Sequence, residues 1–254
     1  MLLRHLLGWD RAYLLAHPLE ILSAEGAVRY YALIDRRLTG EPIQYITGET
    51  EFYGLAFRVT RDVLIPRPET EHLVEKVIEL AGGWERPRIV DVGTGSGAIA
   101  VALAAKLPDA AIAATDISAP ALDLARENAE WNGVTGRVRF LKGAWLESVA
   151  KEQFEIVVSN PPYVAESDKA TLDLEVRDFE PALALFAGED GLAAYRVLIP
   201  AAFAMLIPGG WIALEIGFGQ DATIRRILAE SGFEEIGFTT DLQGIKRVAV
   251  ARRA

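Results

Sequence analysis

The amino-acid sequence predicts an α/β protein with a doubly wound, mostly parallel β-sheet and a small helical part at the N-terminus. Strand-like apolar runs alternate with helical stretches from residue 88 onward, which is the pattern of parallel strands joined by helical crossovers. A glycine-rich loop follows the first of these runs and leads into a helix. Only a Gln243-Gly244 turn separates the last two runs, so the last strand is expected to be antiparallel to its neighbour.

In chain order, the first part is helical. Residues 1 to about 38 carry apolar side chains at helical spacing, as in Leu3 and Leu6 and again in Tyr31 and Ile34. The next segment, QYITGETEFYGLAFRV, is rich in β-branched and aromatic residues and contains two glycines. This composition predicts short strands or a hairpin that connects the helical part to the sheet.

A helix is predicted next, in IPRPETEHLVEKVIELAGG, because prolines stand near its start and two glycines near its end. We therefore predict two domains, residues 1–75 with helices and the β connector, and residues 76–254 with the sheet. The predicted strands of the sheet are 88–92, 110–115, 138–141, 154–159 and 211–216, followed by FEEIGFTTDL and KRVAVAR. The predicted helices around it are 96–107, 119–131, 190–206 and 220–231.

The composition excludes several classes of protein. The chain has no cysteine and only three histidines, so neither a metal site nor a covalent nucleophile is expected. A formal net charge of −10 opposes general attraction to a phosphate backbone. No apolar run approaches the roughly 18 residues of a membrane span, and the N-terminus lacks the features of a signal peptide. We expect a cytoplasmic protein that binds neither membranes nor, directly, nucleic acid.

The glycine-rich loop DVGTGSGAIA indicates a ligand with a nucleotide part. Gly93, Gly95 and Gly97 alternate with Thr94 and Ser96. Glycine lets the backbone of such a loop approach a ligand closely at a helix N-terminus. The same letters fit the dinucleotide fingerprint G-x-G-x-x-G/A. The loop alone therefore leaves NAD, S-adenosylmethionine and a purely structural turn open.

Asp116 ends the second strand of the sheet, about 20 residues after the loop. An acid at this place can accept both hydroxyls of a ribose, which suits either cofactor. The alternative role is the N-cap of the helix that begins near Ser118. A hydride-transfer enzyme would need a carbonyl-polarising group in its second half, and the chain has no histidine after His72.

The fourth strand ends in an elbow, Asn160-Pro161-Pro162-Tyr163. Both prolines fix φ and lack an N–H group, and the residues before them are pushed to extended conformations. In an open α/β sheet, ligands bind beyond the carboxyl ends of the strands near the switch point. We therefore expect the elbow, the glycine loop and Asp116 to meet at one crevice.

The loop and the elbow together resemble the class I S-adenosylmethionine-dependent methyltransferases that modify planar, conjugated nitrogens and have a Rossmann-like fold. Such a nitrogen is a poor nucleophile because its lone pair is delocalised. The side-chain oxygen of Asn160 and the carbonyl of Pro161 are predicted to accept its N–H groups, which orients the nitrogen and raises its electron density. Pro162 would stiffen the elbow, and Tyr163 is expected to pack on the flat amide. The alternative is a structural proline turn with an asparagine cap.

Three further segments, QYITGETEFYG, LIPRPETE and FEPALALFAGEDGL, resemble the PrmC/HemK family, and the resemblance covers essentially the whole chain. This family methylates the glutamine of the Gly-Gly-Gln motif in class I peptide-chain release factors, with S-adenosyl-L-homocysteine as the cofactor product. The resemblance implies a role in translation termination, a release-factor-binding domain in residues 1–75 and a methyltransferase domain in residues 76–254. We expect a monomer.

The resemblance also implies the roles of single residues. The loop from Gly93 to Gly97 would cradle the methionine end of the cofactor, and Asp116 would bind its ribose. Trp145 would lie near the adenine, while the elbow grips the glutamine and its Asn160 also faces the cofactor. Relatives often carry an acid just before the aromatic, where this chain has Ala144, which leaves the contact to the adenine amine open. The alternative for Trp145 is core packing.

Two charged residues and the identity of the substrate have open alternatives. Arg67 either pairs with Glu69 or Glu71 at the surface or lines the substrate entrance, and Glu180 is either solvated or functional. The substrate could instead be a glutamine of a ribosomal protein or an adenine in nucleic acid. Residues 1–75 contain eight arginines, no lysine and eleven acids, whereas a nucleic-acid recognition module is usually basic. A non-catalytic binding module would have no use for the intact elbow.

Overall fold

The computed structural model describes residues 1–254 and contains eleven α-helices and nine β-strands. The helices are α1 (Leu2–Leu7), α2 (Arg11–Ala16), α3 (Ala24–Leu38), α4 (Ile43–Thr47), α5 (Glu71–Ala81), α6 (Ala98–Lys106), α7 (Ala119–Trp131), α8 (Leu174–Phe179), α9 (Ala182–Leu185), α10 (Ala193–Met205) and α11 (Asp221–Glu230). The strands are β1 (Glu49–Phe52), β2 (Leu55–Arg58), β3 (Arg88–Val92), β4 (Ala111–Asp116), β5 (Val138–Lys142), β6 (Phe154–Ser159), β7 (Leu206–Glu215), β8 (Phe233–Thr240) and β9 (Lys246–Arg253). No helix is both long enough and apolar enough to cross a membrane.

Seven of the strands form one sheet in the order β5-β4-β3-β6-β7-β9-β8. The strands from β3 to β7 are parallel, and β9 is antiparallel to both β7 and β8. The chain winds outward from β3 through β4 to β5 and then returns to build β6 and β7 on the other side. The switch point therefore lies between β3 and β6. The prediction of a doubly wound sheet with an antiparallel last strand is confirmed.

The sheet is buried on both faces, which explains why its strands are almost continuously apolar. Successive side chains of a strand point to opposite faces. Ile89 belongs to the core beneath α5, α6 and α7, whereas Val90 belongs to the core beneath α10 and α11. Burying each such side chain contributes roughly 1.5–3 kcal/mol. The two cores together hold the carboxyl ends of the parallel strands at one edge of the sheet.

Most predicted elements of the sheet domain match the observed ones closely, and one strand differs. β7 begins at Leu206, whereas the sequence predicted helix up to residue 206 and strand only from residue 211. The strand continues through Pro208 and the two glycines after it, with a register shift against β6. The short helices α8 and α9 were not predicted, because they are too short to show helical periodicity.

The first three helices confirm the helical prediction for residues 1–38 and bury little. α1 packs against α3 and α4, yet no residue before Glu41 is buried. Several large apolar side chains of this part are exposed: Leu15, Leu19, Ile21, Val28, Tyr31 and Leu38. These helices therefore present an unusually apolar outer surface.

The connector after α3 contains the predicted hairpin, β1–β2, and also a short helix that the sequence did not indicate. Its first residues form α4, and only the remainder forms the β1–β2 hairpin. Pro42 precedes the first turn of α4, and Gly48 ends the helix with φ 78°. Tyr45 and Ile46 of this helix are buried. Burial of two apolar side chains on one turn outweighs the β-propensity of the segment.

The hairpin and α5 pack against the sheet. Phe52 and Phe57 of the hairpin lie in the core beneath α5, α6 and α7. The backbone N–H of Arg58 donates to Oδ1 of Asn128 on α7 at 2.7 Å, and Nδ2 of Asn128 donates back to the Arg58 carbonyl at 3.0 Å. The predicted domain boundary after residue 75 falls within α5, and the two-domain division stays a prediction.

Candidate active site

A cavity of about 650 Å³ lies beyond the carboxyl ends of β3, β4 and β6. This edge contains the switch point, where open α/β sheets bind ligands. Most residues that the sequence singled out line the cavity: Gly93, Thr94, Gly95, Ser96, Asp116, Trp145, Asn160, Pro161 and Pro162. Gly97 and Tyr163 are not part of its wall. No cluster of three or more His, Cys, Asp or Glu side chains could hold a metal ion.

The glycine loop leaves room for a ligand directly above its backbone. Gly93 and Gly95 have φ 74° and 55°, in the left-handed region that favours glycine. A Cβ atom at either position would meet no protein atom within 4 Å, so the space that a side chain would fill is open to the cavity. Gly97 differs, because its Cβ would lie 3.0 Å from the Cβ of Ala125. On its Cβ side Gly97 therefore allows close packing of α6 on α7, and its cofactor contact stays a prediction.

Asp91 supports the loop from below. Its Oδ2 accepts a hydrogen bond from the Thr94 hydroxyl at 2.6 Å, and its buried Oδ1 has no partner. Burial raises the pKa of Asp91 to about 7, although the Thr94 hydrogen bond favours the charged form. Asp91 therefore braces the loop without lining the cavity, and the open space above Gly93 and Gly95 is what fits a cofactor such as S-adenosylmethionine.

Asp116 holds two backbone N–H groups at the end of β4. Its Oδ2 accepts from Gly95 and its Oδ1 accepts from Ser118, each at 2.9 Å. The N-cap of α7 is Ser118, whose hydroxyl accepts from the N–H of Ala121, so Asp116 is not itself the cap. Each carboxylate oxygen has a second lone pair. Asp116 can therefore brace the loop and still accept hydroxyls from a ribose in the cavity.

Trp145 has an unusual backbone conformation beside the cavity. Its φ is 51°, which costs a bulky residue roughly 1–3 kcal/mol. The Thr115 hydroxyl donates to the Trp145 carbonyl at 2.8 Å and holds it there. The ring packs against the core beneath α10 and α11 and also lines the cavity next to Ala144. Both roles considered for Trp145, core packing and a wall of the ligand site, fit this placement.

The elbow presents Asn160 and the two prolines to the cavity but turns Tyr163 away. The Tyr163 ring packs against the core, and its hydroxyl donates to Oε1 of Glu215 at 3.3 Å. Burial is the main cause that raises the pKa of Tyr163. From this position the Tyr163 ring is not part of the cavity wall, and its packing on a substrate amide stays a prediction.

Asn160 is connected to two residues that the sequence did not indicate. Its Nδ2 donates to the Thr70 hydroxyl at 3.2 Å, and that hydroxyl donates to Oε2 of Glu215 at 2.6 Å. Thr70 ends a 3₁₀ turn before α5 and lines the cavity, and Glu215 ends β7 beside the end of β6. An acid at the carboxyl end of a buried strand, as in WIALEI, was the available signal for Glu215.

Arg67 and Glu180 form an ion pair at the entrance of the cavity, at 2.5 Å. Arg67 also lines the cavity, and the Glu180 side chain is 1% exposed, so it is not a solvated surface charge. Burial raises the pKa of Glu180 more than Arg67 lowers it. The second carboxyl oxygen of Glu180 has no partner. The pairing of Arg67 with Glu69 or Glu71 is not observed.

A second charged cluster joins the N-terminal helices to the rim of the cavity. Glu41 is buried and accepts hydrogen bonds from Arg36 of α3 and from Arg61, which lines the cavity. The hydrogen bond from Arg36 is the main cause that lowers the pKa of Glu41 to about 2. The carboxylate is therefore ionised under ordinary conditions and fixes α3 close to the cavity entrance.

Comparison with known proteins agrees with this geometry. Residues 69–183 match the family model of the methyltransferase small domain, and residues 1–48 match that of the PrmC N-terminal domain. The N-terminal domain of human METTL16 in complex with SAH has the same fold, with a TM-score of 0.57 at 19% identity over 78% of this chain and 76% of that one. The fold and the cavity define a class I methyltransferase.

The sequence comparison is more specific. The chain is 44% identical to the release factor glutamine methyltransferase of Burkholderia pseudomallei, over 99% of this chain and 90% of the relative. It is 45% identical to the protein of that name from Neisseria gonorrhoeae, over 99% of this chain and 91% of the relative. The chain belongs to the release factor glutamine methyltransferase family.

Proposed function

We propose that this protein transfers a methyl group from S-adenosylmethionine to the side-chain nitrogen N5 of the glutamine in the Gly-Gly-Gln motif of class I peptide-chain release factors. Membership of the family supports the substrate. The observation that carries the chemistry is the pair of unused acceptors at the elbow. Oδ1 of Asn160 and the carbonyl of Pro161 accept no hydrogen bond from the protein, and both residues line the cavity beside the glycine loop.

The residues that would hold the cofactor are Gly93, Gly95, Asp116 and Trp145. When bound, S-adenosylmethionine supplies an electrophilic methyl group on a sulfonium. The two acceptors of the elbow take N–H groups of the glutamine amide, so the nitrogen is oriented and its electron density rises. The catalytic gain is therefore one of position and electrostatics. The thioether S-adenosylhomocysteine would be the leaving group, and the proton that the methylated nitrogen loses would pass to solvent.

The N-terminal helices are proposed to bind the release factor. Their exposed apolar side chains give a surface that a protein partner could cover, and Glu41 fixes α3 next to the cavity entrance. A monomeric state, a cytoplasmic location and the absence of direct nucleic-acid binding belong to the same proposal.

Mass spectrometry tests this function directly. The protein is incubated with S-adenosylmethionine and, in separate reactions, with a purified release factor, a ribosomal protein and an adenine-containing oligonucleotide. We expect the mass gain of one methyl group on the Gly-Gly-Gln peptide alone. Methylation of the ribosomal protein or of adenine, with an unmodified release factor, would replace this proposal by one of the two alternatives.

A further inference from the structure

The hydrogen-bond chain behind Asn160 has a defined direction. The Thr70 hydroxyl has a single hydrogen, and it is used towards Oε2 of Glu215 at 2.6 Å. The oxygen of Thr70 is then left as an acceptor, and Nδ2 of Asn160 donates to it at 3.2 Å. We infer that Thr70 and Glu215 are positioning residues, which set the rotation of the Asn160 amide so that Oδ1 faces the cavity. This inference rests on the proposed function, because it assigns Oδ1 to the substrate amide.

The direction follows from the chemistry of the three groups. An ionised carboxylate can only accept hydrogen bonds, so Glu215 draws the Thr70 hydrogen towards itself. If the Asn160 amide were rotated by half a turn, its oxygen would face the Thr70 oxygen with no hydrogen between them. That contact is repulsive, whereas the observed rotation satisfies both groups. The Glu215 carboxylate therefore sets the rotation of the Asn160 amide through Thr70, without contacting it directly.

Both carboxyl oxygens of Glu215 accept hydrogen bonds in this structure, and above about pH 7, the raised pKa of this buried group, the carboxylate has no hydrogen to donate. Tyr163 donates to its Oε1, and Tyr195 of α10 donates to its backbone carbonyl at 2.9 Å. The other charged groups near it are Arg247 at the start of β9 and Glu69 in the turn before α5. Because Glu215 is 2% exposed, water does not compete for its oxygens. This arrangement also explains why Tyr163 is turned away from the cavity.

A purely structural role explains the chain less well. An isolated carboxyl group in a core is costly, and apolar replacements of buried charged groups are often neutral or stabilising. Glu215 and Thr70 lie 145 residues apart in the sequence, and their link ends on the one elbow side chain with a free acceptor in the cavity. The link from Glu215 through Thr70 is therefore better explained by the need to orient Asn160 than by a contribution to stability.

Two test variants, Thr70→Val and Glu215→Leu, and two control variants separate positioning from stability. Thr70→Val keeps the shape of the side chain but removes both the donor and the acceptor, and Thr70→Ser restores them. Thr135→Val is the matched control, because Thr135 is exposed and has no part in the cavity. Glu215→Leu removes the carboxylate and is expected to stay folded, which keeps the test valid if Thr70→Val does not fold.

Four quantities are measured for each variant: kcat and KM for methylation of the release factor, cofactor affinity by calorimetry, and the hydrogen exchange rate of the Asn160 side-chain amide by NMR of nitrogen-15-labelled protein. For Thr70→Val and Glu215→Leu we expect kcat to fall by about tenfold or more, with cofactor affinity within about twofold. The Asn160 amide should exchange about tenfold faster in Thr70→Val, because it loses its partner. Thr70→Ser and Thr135→Val should resemble the wild type.

The outcomes distinguish this inference from the proposed function. Wild-type kcat in both Thr70→Val and Glu215→Leu, or unchanged exchange of the Asn160 amide in Thr70→Val, would overturn the positioning role. A wild-type protein that does not methylate the release factor would overturn the proposed function, and the exchange data would then decide the positioning role alone.

Discussion

The carboxylate of Asp116 accepts a hydrogen bond from the backbone N–H of Gly95 at 2.9 Å. This contact links the end of β4 to the middle of the glycine loop, which leaves β3. The two parts of the proposed cofactor site, one for the ribose and one for the methionine, are therefore braced against each other by the protein itself. Loss of the carboxylate should affect both parts.

Asp116→Ala is expected to weaken cofactor binding strongly. Each charge-assisted hydrogen bond to a ribose hydroxyl contributes about 1.5–3 kcal/mol, so the affinity for S-adenosylmethionine should fall by more than about tenfold. Calorimetry measures the loss. Asp123→Ala is the control, because Asp123 lies on α7 in an exposed pair with Arg126. A loss of binding free energy below about 0.5 kcal/mol in Asp116→Ala would show that Asp116 does not bind the ribose.

Alanine substitutions at Gly95 and Gly97 should have different consequences. Gly95→Ala places a methyl group in the space above the loop, so cofactor affinity should fall while stability decreases only by about 1–2 kcal/mol of left-handed strain. Gly97→Ala adds a contact of 3.0 Å with Ala125 to the same strain. Gly97→Ala should therefore reduce stability more than Gly95→Ala does, and it should lower cofactor affinity less.

The measurements for these glycine variants are thermal unfolding and calorimetric titration. Gly244→Ala is the matched control, because Gly244 has φ 80° and open space around it, in the turn between β8 and β9. Gly244→Ala should show only the loss of stability from left-handed strain, with wild-type affinity for the cofactor. Equal losses of affinity in the Gly95 and Gly97 variants would contradict the division of roles between these glycines.

The fold could be predicted from the sequence because alternating strands and helices leave few topologies. The position of the cavity followed, since the switch point is a consequence of strand order. The different roles of Gly95 and Gly97 could not be predicted, because glycine is required both where a ligand needs space and where two helices pack closely. The link between Thr70 and Glu215 was also hidden, since it joins segments 145 residues apart that meet only in the folded chain.

The direction of Tyr163 shows a further limit of the sequence. The motif N-P-P-Y suggested that the aromatic ring faces the substrate, but the buried carboxyl of Glu215 provides a partner for its hydroxyl on the opposite side. When either orientation would bury the ring, a tyrosine takes the one in which its hydroxyl has a hydrogen-bond partner. The short helix α4 was missed for a similar reason, because the burial of Tyr45 depends on contacts far along the chain, such as its hydrogen bond to the Val63 carbonyl at 2.6 Å.

Asn160→Ala should abolish most of the activity without loss of cofactor binding. The variant removes one of the two acceptors of the substrate amide and leaves Gly95 and Asp116 intact. Removal of one such contact typically costs about 10²- to 10³-fold in kcat. Asn160→Asp keeps an acceptor and should be partly active. Turnover by Asn160→Ala within about threefold of the wild type would make the elbow structural.

Substitutions on the exposed N-terminal helices should change substrate affinity and not chemistry. Val28 and Tyr31 of α3 are 70% and 65% exposed, so Val28→Ser and Tyr31→Ser should leave stability nearly unchanged. If the release factor covers this surface, KM should rise several-fold at constant kcat. Leu242→Ser is the control, because Leu242 is exposed in the turn between β8 and β9. Unchanged KM in both α3 variants would argue against this docking surface.

The buried carboxyl of Glu215 should make stability depend on pH. Burial raises the pKa of Glu215 from 4.5 to about 7. A carboxyl group with a raised pKa binds its proton more tightly in the folded state, so its contribution to stability is complete below pH 4.5 and is lost as the pH rises through about 7. The free energy of unfolding should therefore fall by up to roughly 3 kcal/mol between about pH 5 and pH 8 on account of this group.

Chemical denaturation of the wild type and of Glu215→Gln at several pH values isolates this contribution. The glutamine does not titrate, so the variant should lose less stability than the wild type as the pH rises. Asp91, whose pKa is raised to about 7 in the same direction, is present in both proteins, so its contribution cancels in the comparison. Parallel pH profiles for the two proteins would show that Glu215 keeps an ordinary pKa in the fold, and that its burial costs far less than its position between β6 and β9 suggests.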